Sequence, residues 1–263
     1  MQRTDFSDRS NMLRKTDALD RLVKKRQLRE NVYPGYFSIG HFHDGVYECN
    51  YVSPYTKSAG NLNAKVFIML QDWASSDAFK EEISRDSIEY GHEIARFTNS
   101  NLKALLQQHF GLKLSQTYGT NVFPFIKPGR MNAPISQRLL KTAAVEYGLP
   151  QIDIIKPRLV ICLGKDTFNA LRASLGLDKV MTVGEGIEQP FTYRKTVIWL
   201  QAHTGRLGQN NRNRRGVNRV HDDWQRMAGG LVRRGETVGF DCRAPSCIEP
   251  LLTRPTLFLT ARK

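Results

Sequence analysis

The segment 65–75, KVFIMLQDWAS, constrains the fold of this chain more than any other. Its apolar run, 66–70, has the length and composition of a buried strand, and it ends abruptly in Gln71-Asp72-Trp73. Open α/β sheets usually present reactive groups where buried parallel strands end, which makes Asp72 a candidate for chemistry. The alternative is that Asp72 only caps the following helix, because Asp is a favoured N-cap residue.

Three later segments also predict buried strands, and helix-like stretches separate them, an alternation typical of parallel sheets. These segments are 117–125, 158–164 and 196–200. We therefore predict an α/β fold with three layers, α/β/α, around a short, mostly parallel, four-stranded central sheet. The commonest ligand site in such folds is the crevice at the carboxyl ends of the strands, where both Asp72 and His203 are expected to lie.

Helical periodicity after the first strand predicts four helices that end at glycines, namely Gly111, Gly148, Gly176 and Gly229-Gly230. The first part of the chain instead combines a basic helical stretch with an irregular aromatic segment. We therefore divide the chain into an N-terminal extension, 1–63, that packs on the main domain, a main domain, 64–230, and a C-terminal tail, 231–263. No structure is assigned to the tail.

The charge balance favours a polyanionic partner. Lys and Arg number 39 against 25 acidic residues, a formal net charge of +14. Nucleic acid is the leading candidate, although an anionic membrane surface is also compatible with such a charge. No apolar run approaches the length that spans a bilayer, and the four cysteines lack the spacing of zinc or iron–sulfur sites. We expect a soluble, cytoplasmic monomer without metal or cofactor.

The segment 203–220, HTGRLGQNNRNRRGVNRV, has the composition most typical of a binding surface. It holds five arginines and no acidic residue, together with glycines and amide side chains. Small residues let the backbone approach a ligand closely, and Arg binds phosphate oxygens. A flexible basic loop without a partner is the alternative.

Asn121 stands in the middle of a predicted strand that is rich in β-forming residues. Burying an Asn is costly unless its amide finds hydrogen-bond partners. The side chain therefore either satisfies local backbone groups or faces a ligand, and the sequence leaves both possibilities open.

Taken in order, these residues resemble the motifs of the uracil-DNA glycosylase superfamily. Gln71-Asp72 looks like the GQDPY-type first motif, and the segment 203–207, HTGRL, looks like the HPSPL-type second motif with its His and Leu in register. Thr120-Asn121-Val122 is similar to the strand whose Asn reads the uracil edge. Lys156-Pro157-Arg158 with Leu163-Gly164 resembles the strand that leads to a Leu-Gly pair. The resemblance covers roughly residues 65–228.

The resemblance implies a DNA base glycosylase of base-excision repair, which hydrolyses the N-glycosidic bond of uracil or a related base after flipping it out of single- or double-stranded DNA. Asp72 would stabilise the sugar cation and orient or activate water, and His203 would stabilise the departing anionic base. Gln71 and Asn121 would contact the base. Phe97 would stack on it, unless Phe97 is an ordinary core residue.

The same resemblance assigns DNA contacts to the basic segment. Leu207 would act as the wedge that fills the space left by the flipped base. The residues expected to hold the strained DNA backbone are Thr204, Gly205, Arg206, Arg212, Arg214 and Arg215.

The chain also departs from the family pattern. Leu70 and Trp73 replace the Gly and Pro of the first motif, and Ala74 occupies the position of the Tyr that excludes the thymine methyl group. We expect the small side chain of Ala74 to relax discrimination against 5-substituted bases. Two other functions stay open. One is a non-catalytic nucleic-acid-binding protein on the same fold. The other is a nucleotide- or phosphate-binding α/β enzyme, which the lack of a P-loop or GxGxxG turn weakens.

Overall fold

The computed structural model describes residues 3–80 and 82–233 of the chain. The protein is built around a five-stranded sheet with the order β2-β1-β3-β5-β4. The strands are β1 Val66–Asp72, β2 Tyr118–Phe123, β3 Leu159–Leu163, β4 Phe191–Tyr193 and β5 Thr196–Gln201. β2, β1, β3 and β5 run parallel, and β4 pairs antiparallel with β5. The protein therefore has the predicted α/β class and mostly parallel sheet.

The sheet has one strand more than the four that the sequence predicts. β4 is three residues long and joins β5 through a two-residue turn at Arg194-Lys195, where Arg194 has φ +55°. It lies partly exposed at the sheet edge and carries no apolar run. Because only its pairing with β5 makes this segment a strand, periodicity could not predict it.

Helices cover both faces of the sheet. Alternate residues of β1 point to opposite sides, so that Phe67 and Met69 pack in one apolar core while Ile68 and Leu70 pack in another. Helices α4 to α6 contribute to the first core, and α3 and α9 to the second. The helices are α1 Arg3–Gln27, α2 Arg85–Tyr90, α3 Phe97–Phe110, α4 Gln137–Ala143, α5 Leu149–Ile155, α6 Lys165–Ser174, α7 Val183–Glu188, α8 Arg206–Arg212 and α9 Arg219–Arg233, with a π-helical segment, Ala144–Gly148, between α4 and α5.

Two helices continue past the glycines at which the sequence predicted their ends. α4 runs through the π-helical segment into α5, and α9 runs past Gly230. A Cβ on Gly148 would lie 3.3 Å from Val122, and a Cβ on Gly230 would lie 2.8 Å from the ring of Trp199. These glycines therefore let a helix approach the sheet closely instead of stopping it. α3 does end at Gly111, which has φ +63°, as predicted.

The first 63 residues share the core of the main domain. Val23 of α1 is buried in the core that α4 to α6 also form. Arg26 is fully buried, and its guanidinium donates to the carboxylate of Glu48 at 2.5 Å and to the carbonyl oxygen of Cys49 at 2.8 Å. Apolar packing thus holds the extension to the main body, while the ion pair of Arg26 and Glu48 joins α1 to the later part of the extension itself.

The aromatic segment, 32–63, crosses the body as short 3₁₀ turns, with single β-bridges from Phe37 to Ile126 and from Gly60 to Tyr118. These bridges bring the segment against β2 and the loop that follows it. Of the predicted tail, 231–263, residues 234–263 lie outside the described residues.

Candidate active site

A cleft of about 710 Å³ opens at the carboxyl ends of the four parallel strands. Its wall includes Gln71 and Asp72 from β1, Asn121 from β2, Leu163 from β3 and His203 from the loop after β5. Parallel strands end at the same edge of a sheet, which brings together residues that lie far apart in the sequence. The cleft therefore collects the side chains that the sequence analysis selected for the base and the sugar, with the exception of Phe97.

Asp72 is the last residue of β1, and its carboxylate is held from two sides. Oδ2 accepts from the ammonium group of Lys127 at 2.9 Å, and Oδ1 accepts from Nε2 of Gln71 at 2.9 Å. The side chains of Asp72 and Lys127 are only 7% and 4% exposed. The next helical turn, Ser76–Phe79, is preceded by Ser75 as its N-cap. Asp72 therefore does not act as the helix cap that the sequence left as an alternative.

Burial sets the protonation behaviour of Asp72. Removal from water raises the pKa of this carboxyl group, because a charge is less stable in a buried site. The ion pair and hydrogen bond with Lys127 act in the opposite direction, as do Gln71 and His203. The ammonium group of Lys127 is thus the strongest of the influences that lower the pKa of Asp72 against the effect of burial.

His203 lies two residues beyond β5, and its Nδ1 accepts a hydrogen bond from the backbone N–H of Gly205 at 3.0 Å. A backbone N–H can only donate, so Nδ1 is unprotonated and the neutral ring carries its proton on Nε2. The residue is exposed at the cleft mouth, yet the surrounding protein removes enough water to lower the pKa of the ring. Asp72 opposes this shift, and the charge of Arg96 adds to it. His203 is therefore a neutral ring that can donate from Nε2.

The segment after His203 folds tightly around it. A Cβ on Gly205 would lie 2.9 Å from Nδ1 of His203, and a Cβ on Gly208 would lie 2.2 Å from its carbonyl oxygen. Gln209 donates to that same carbonyl oxygen at 3.0 Å. Thr204 is fully buried, and its hydroxyl donates to a backbone carbonyl of α3 at 2.9 Å. These contacts fix the orientation of the imidazole. Thr204 supports it from below the surface, and Gly205 supports it from the cleft wall.

Asn121 is buried in β2 with its amide at the cleft wall. Its Oδ1 accepts from the hydroxyl of Ser53 at 2.5 Å, and the same hydroxyl oxygen accepts from the backbone N–H of Tyr55 at 3.2 Å. The partner of Asn121 is thus a side chain of the aromatic segment and not local backbone. Because Ser53 engages the amide oxygen, the amide nitrogen is the group that Asn121 can best offer to a ligand.

Ala74 is buried beside an aromatic wall, which we define as Tyr47, Trp73 and Phe79. The three rings lie 5.1 to 5.8 Å apart between centroids. The indole N–H of Trp73 donates to the carbonyl oxygen of Gly91 at 2.8 Å, which fixes the ring. The small side chain of Ala74 therefore leaves room in the cleft next to rigid aromatic surface.

Leu207, Arg206 and Phe97 form the rim of the cleft. Leu207 is 75% exposed, the largest exposure among the large hydrophobic residues of the described chain. Phe97, the first residue of α3, is 45% exposed, and the guanidinium of Arg206 lies 5.7 Å above its ring. Phe97 is therefore not the core residue that was the alternative. It lies outside the cleft wall, where it supports Arg206 at the rim.

The arginines of the basic segment divide into two kinds. Arg212 makes a two-point ion pair with Asp223 of α9, at 2.6 and 2.8 Å, so its guanidinium is committed to holding α8 against α9. Arg206, Arg214 and Arg219 are exposed. For Arg215 the structure describes the backbone alone. Of the three exposed arginines, Arg206 lines the cleft, and the expected contact of this segment with DNA stays a prediction.

The sequence analysis missed two residues that contact the candidate site, Lys127 and Ser53. Lys127 follows the apolar pair Phe125-Ile126, and a single charge close after the predicted strand was the available signal. Ser53 lies in a segment without any period, so no local pattern could assign it to Asn121.

Within residues 3–80 and 82–233, no group of three or more His, Cys, Asp or Glu residues is arranged to hold a metal ion. Over the same residues, no helix has the length and apolar character needed to cross a membrane. Comparison with models of known protein families and with curated protein sequences finds no match for this chain. Its function must therefore be inferred from the chemistry of the cleft itself.

Proposed function

We propose that this chain is a DNA base glycosylase that hydrolyses the N-glycosidic bond of uracil or a related modified base. One observation carries the proposal: a carboxylate, Asp72, and a neutral imidazole, His203, reach a single cleft from either side of β3. Breaking this bond develops positive charge on the sugar and negative charge on the base, so the reaction needs one group for each.

Asp72 would serve the sugar. A carboxylate beside the anomeric carbon stabilises an oxocarbenium-like transition state and can orient the attacking water. Its contacts with Lys127 and Gln71 hold the group in one orientation, so little reorganisation is needed during the reaction. Because the side chains of Asp72 and Lys127 are buried, water screens the charge of the carboxylate less than it would at the surface.

His203 and Asn121 would serve the base. Nε2 of His203 is the protonated nitrogen, and it can donate to a carbonyl oxygen on which negative charge accumulates. The amide nitrogen of Asn121 can donate to a second carbonyl oxygen, while its oxygen keeps a lone pair for a ring N–H. This set suits a base with a carbonyl, N–H, carbonyl edge, as uracil has.

The rim would serve the DNA. A base inside a duplex must leave the stack before its glycosidic bond can be reached. Leu207 projects from the rim, where an apolar side chain can occupy the vacated position. The exposed cations Arg206, Arg214 and Arg219 can contact phosphates on either side.

The test is excision from oligonucleotides that hold one uracil, placed opposite G, opposite A or unpaired. Wild-type protein should release uracil and leave an abasic site, and Asp72→Asn should abolish this product. His203→Ala should lower the rate by roughly 10²–10³-fold, the usual effect of removing one transition-state donor. Asp166→Asn is the matched control, because Asp166 lines the same cleft but is exposed, and we expect it to behave as wild type.

Two outcomes would contradict the proposal. If the protein binds DNA but leaves uracil and a panel of modified bases intact, it is the non-catalytic nucleic-acid-binding protein that the sequence left as an alternative. If it binds neither single- nor double-stranded oligonucleotide, a nucleotide- or phosphate-binding enzyme becomes the better hypothesis. In the first case, a steep decrease of binding with salt concentration would show that the protein contacts several phosphates, because such contacts make DNA binding strongly salt-dependent.

A further inference from the structure

A lysine amine is buried in the cleft, although hydrolysis of an N-glycosidic bond requires no amine. Nζ of Lys127 lies 2.9 Å from Oδ2 of Asp72, with its side chain 4% exposed. The backbone is fixed as well, because the carbonyl oxygen of Lys127 accepts from the N–H of Ser76 at 2.8 Å. Burying an ammonium group carries a desolvation penalty, which a paired carboxylate offsets only when the geometry is good. The chain thus holds an amine at its proposed reaction centre at an energetic cost.

The ion pair places this amine beside the carbon that reacts. If Asp72 stabilises the cation at C1′, then the amine next to Asp72 also lies close to C1′. Once the base has left and water has been added, C1′ is a hemiacetal in equilibrium with an open-chain aldehyde. Aldehydes condense readily with amines, and a lysine that forms a Schiff base is a common covalent catalyst.

We propose that Lys127 forms an imine with the C1′ aldehyde of the abasic sugar, which gives the cleft an abasic-site lyase activity. The proposal rests on the glycosylase function above, because it uses the product of that reaction. It extends that function from base removal to cleavage of the DNA strand.

Imine formation, cleavage of the C3′–O bond and hydrolysis of the imine conserve atoms and electrons, so the reaction needs no oxidant or reductant. Asp72 accepts one proton from the ammonium group, and the freed amine attacks C1′ to form the N–C1′ bond. The carbinolamine then loses water, in which both remaining amine hydrogens leave with the aldehyde oxygen. Asp72 returns its proton to the imine nitrogen, and the carboxylate so formed takes a proton from C2′. The electron pair of the broken C2′–H bond forms a C2′–C3′ double bond as the C3′–O bond breaks, and the 3′ phosphate leaves with the electron pair of that C3′–O bond. Hydrolysis of the imine releases Lys127 and an unsaturated aldehyde.

Burial of Asp72 favours the first of these steps. The carboxyl group has a raised pKa because it is desolvated. Proton transfer from Lys127 to Asp72 converts two buried charges into two neutral groups, so the buried environment makes it easier than it would be in water.

The experiment uses an oligonucleotide with a preformed abasic site, so that base excision is not required. Borohydride reduces an imine to a stable secondary amine, which appears as a covalent protein–DNA band on a denaturing gel. We expect this band from wild type and its loss in Lys127→Arg, which keeps the cation beside Asp72 but cannot form the imine. Lys165→Arg is the control, because Lys165 lines the same cleft, and it should keep the band. Peptide mapping of the wild-type adduct should identify Lys127 without any variant.

Failure of this proposal can be told apart from failure of the glycosylase function. Uracil excision by wild type without any trapped complex overturns the lyase and leaves the glycosylase intact. A trapped complex that persists in Lys127→Arg, or that maps to another lysine, overturns the assignment to Lys127. A complex that maps to Lys127 without uracil excision supports the lyase and overturns the proposed removal of uracil.

Discussion

Replacing Lys127 by Met removes the cation from the buried pair and leaves the carboxylate of Asp72 unpaired at 7% exposure. Removing one partner of a buried ion pair typically costs about 3–5 kcal/mol. In a protein of this size, 1 kcal/mol changes the melting temperature by roughly 2–4 °C. At pH 7 we therefore expect Lys127→Met to lower the melting temperature by about 6–20 °C.

The stability that Lys127→Met loses should depend on pH in a definite direction. Burial raises the pKa of Asp72, and Lys127 is the strongest influence that opposes the rise, so its removal raises this pKa further. A carboxyl group whose folded pKa exceeds its unfolded pKa contributes stability below the unfolded pKa, and this stability is lost as pH rises through the folded pKa. The variant should therefore be destabilised most at neutral pH and should recover part of the loss as the solution is acidified and Asp72 takes up a proton.

Urea unfolding at neutral and mildly acidic pH measures this effect. Lys80→Met is the matched control, because the ammonium of Lys80 also lies 2.7 Å from a carboxylate, that of Asp77, but is 74% exposed. Such surface pairs contribute only about 0–1 kcal/mol. The double variant Asp72→Asn/Lys127→Met should be more stable than the sum of the single losses predicts, by roughly 0.5–3 kcal/mol. Equal losses for Lys127→Met and Lys80→Met, or strict additivity in the double variant, would refute the reasoning.

Three further predictions concern the cleft and the helix on the second face. Ala74→Tyr fills the space beside the aromatic wall, so it should reduce excision of 5-substituted bases more than excision of uracil; an unchanged substrate range in an oligonucleotide panel contradicts this. Leu207→Ala removes the exposed wedge, so it should slow excision from duplex DNA while sparing single strands, and equal slowing of both argues against the wedge. Gly229→Ala should stabilise the protein by about 0.5–1 kcal/mol, because its Cβ meets nothing within 4 Å, whereas Gly230→Ala should destabilise it, because its Cβ would lie 2.8 Å from the ring of Trp199. Melting temperatures that move in the same direction for both variants contradict this packing.

Some features of the protein follow from local sequence patterns. The apolar run that ends at Asp72 predicted a strand, and β1 occupies that position. His203 follows a second such run and lies at the same edge of the sheet, because parallel strands all end on one side. These predictions needed only residue type, spacing and the geometry that every parallel sheet shares.

Pairing across the chain decided the rest. Glycine commonly ends helices, and the sequence therefore predicted helix ends at Gly148 and Gly230. In the structure, each of these glycines instead lies where a helix approaches the sheet closely. Arg212 lies in a basic segment of the kind that contacts phosphates, yet its guanidinium is paired with the carboxylate of Asp223. In each case the partner lies on another element, and local sequence carries no information about that partner's position.

The sequence by itself determined the α/β class, the parallel strands and the edge of the sheet at which Asp72 and His203 meet. Only the tertiary structure decided that Lys127 pairs with Asp72, that Ser53 donates a hydrogen bond to Asn121 and that a short fifth strand forms one edge of the sheet. The physical reason is the range of the interactions. Strand and helix patterns arise from the burial of neighbouring residues, whereas a buried ion pair or an edge strand exists only when distant segments fold against each other.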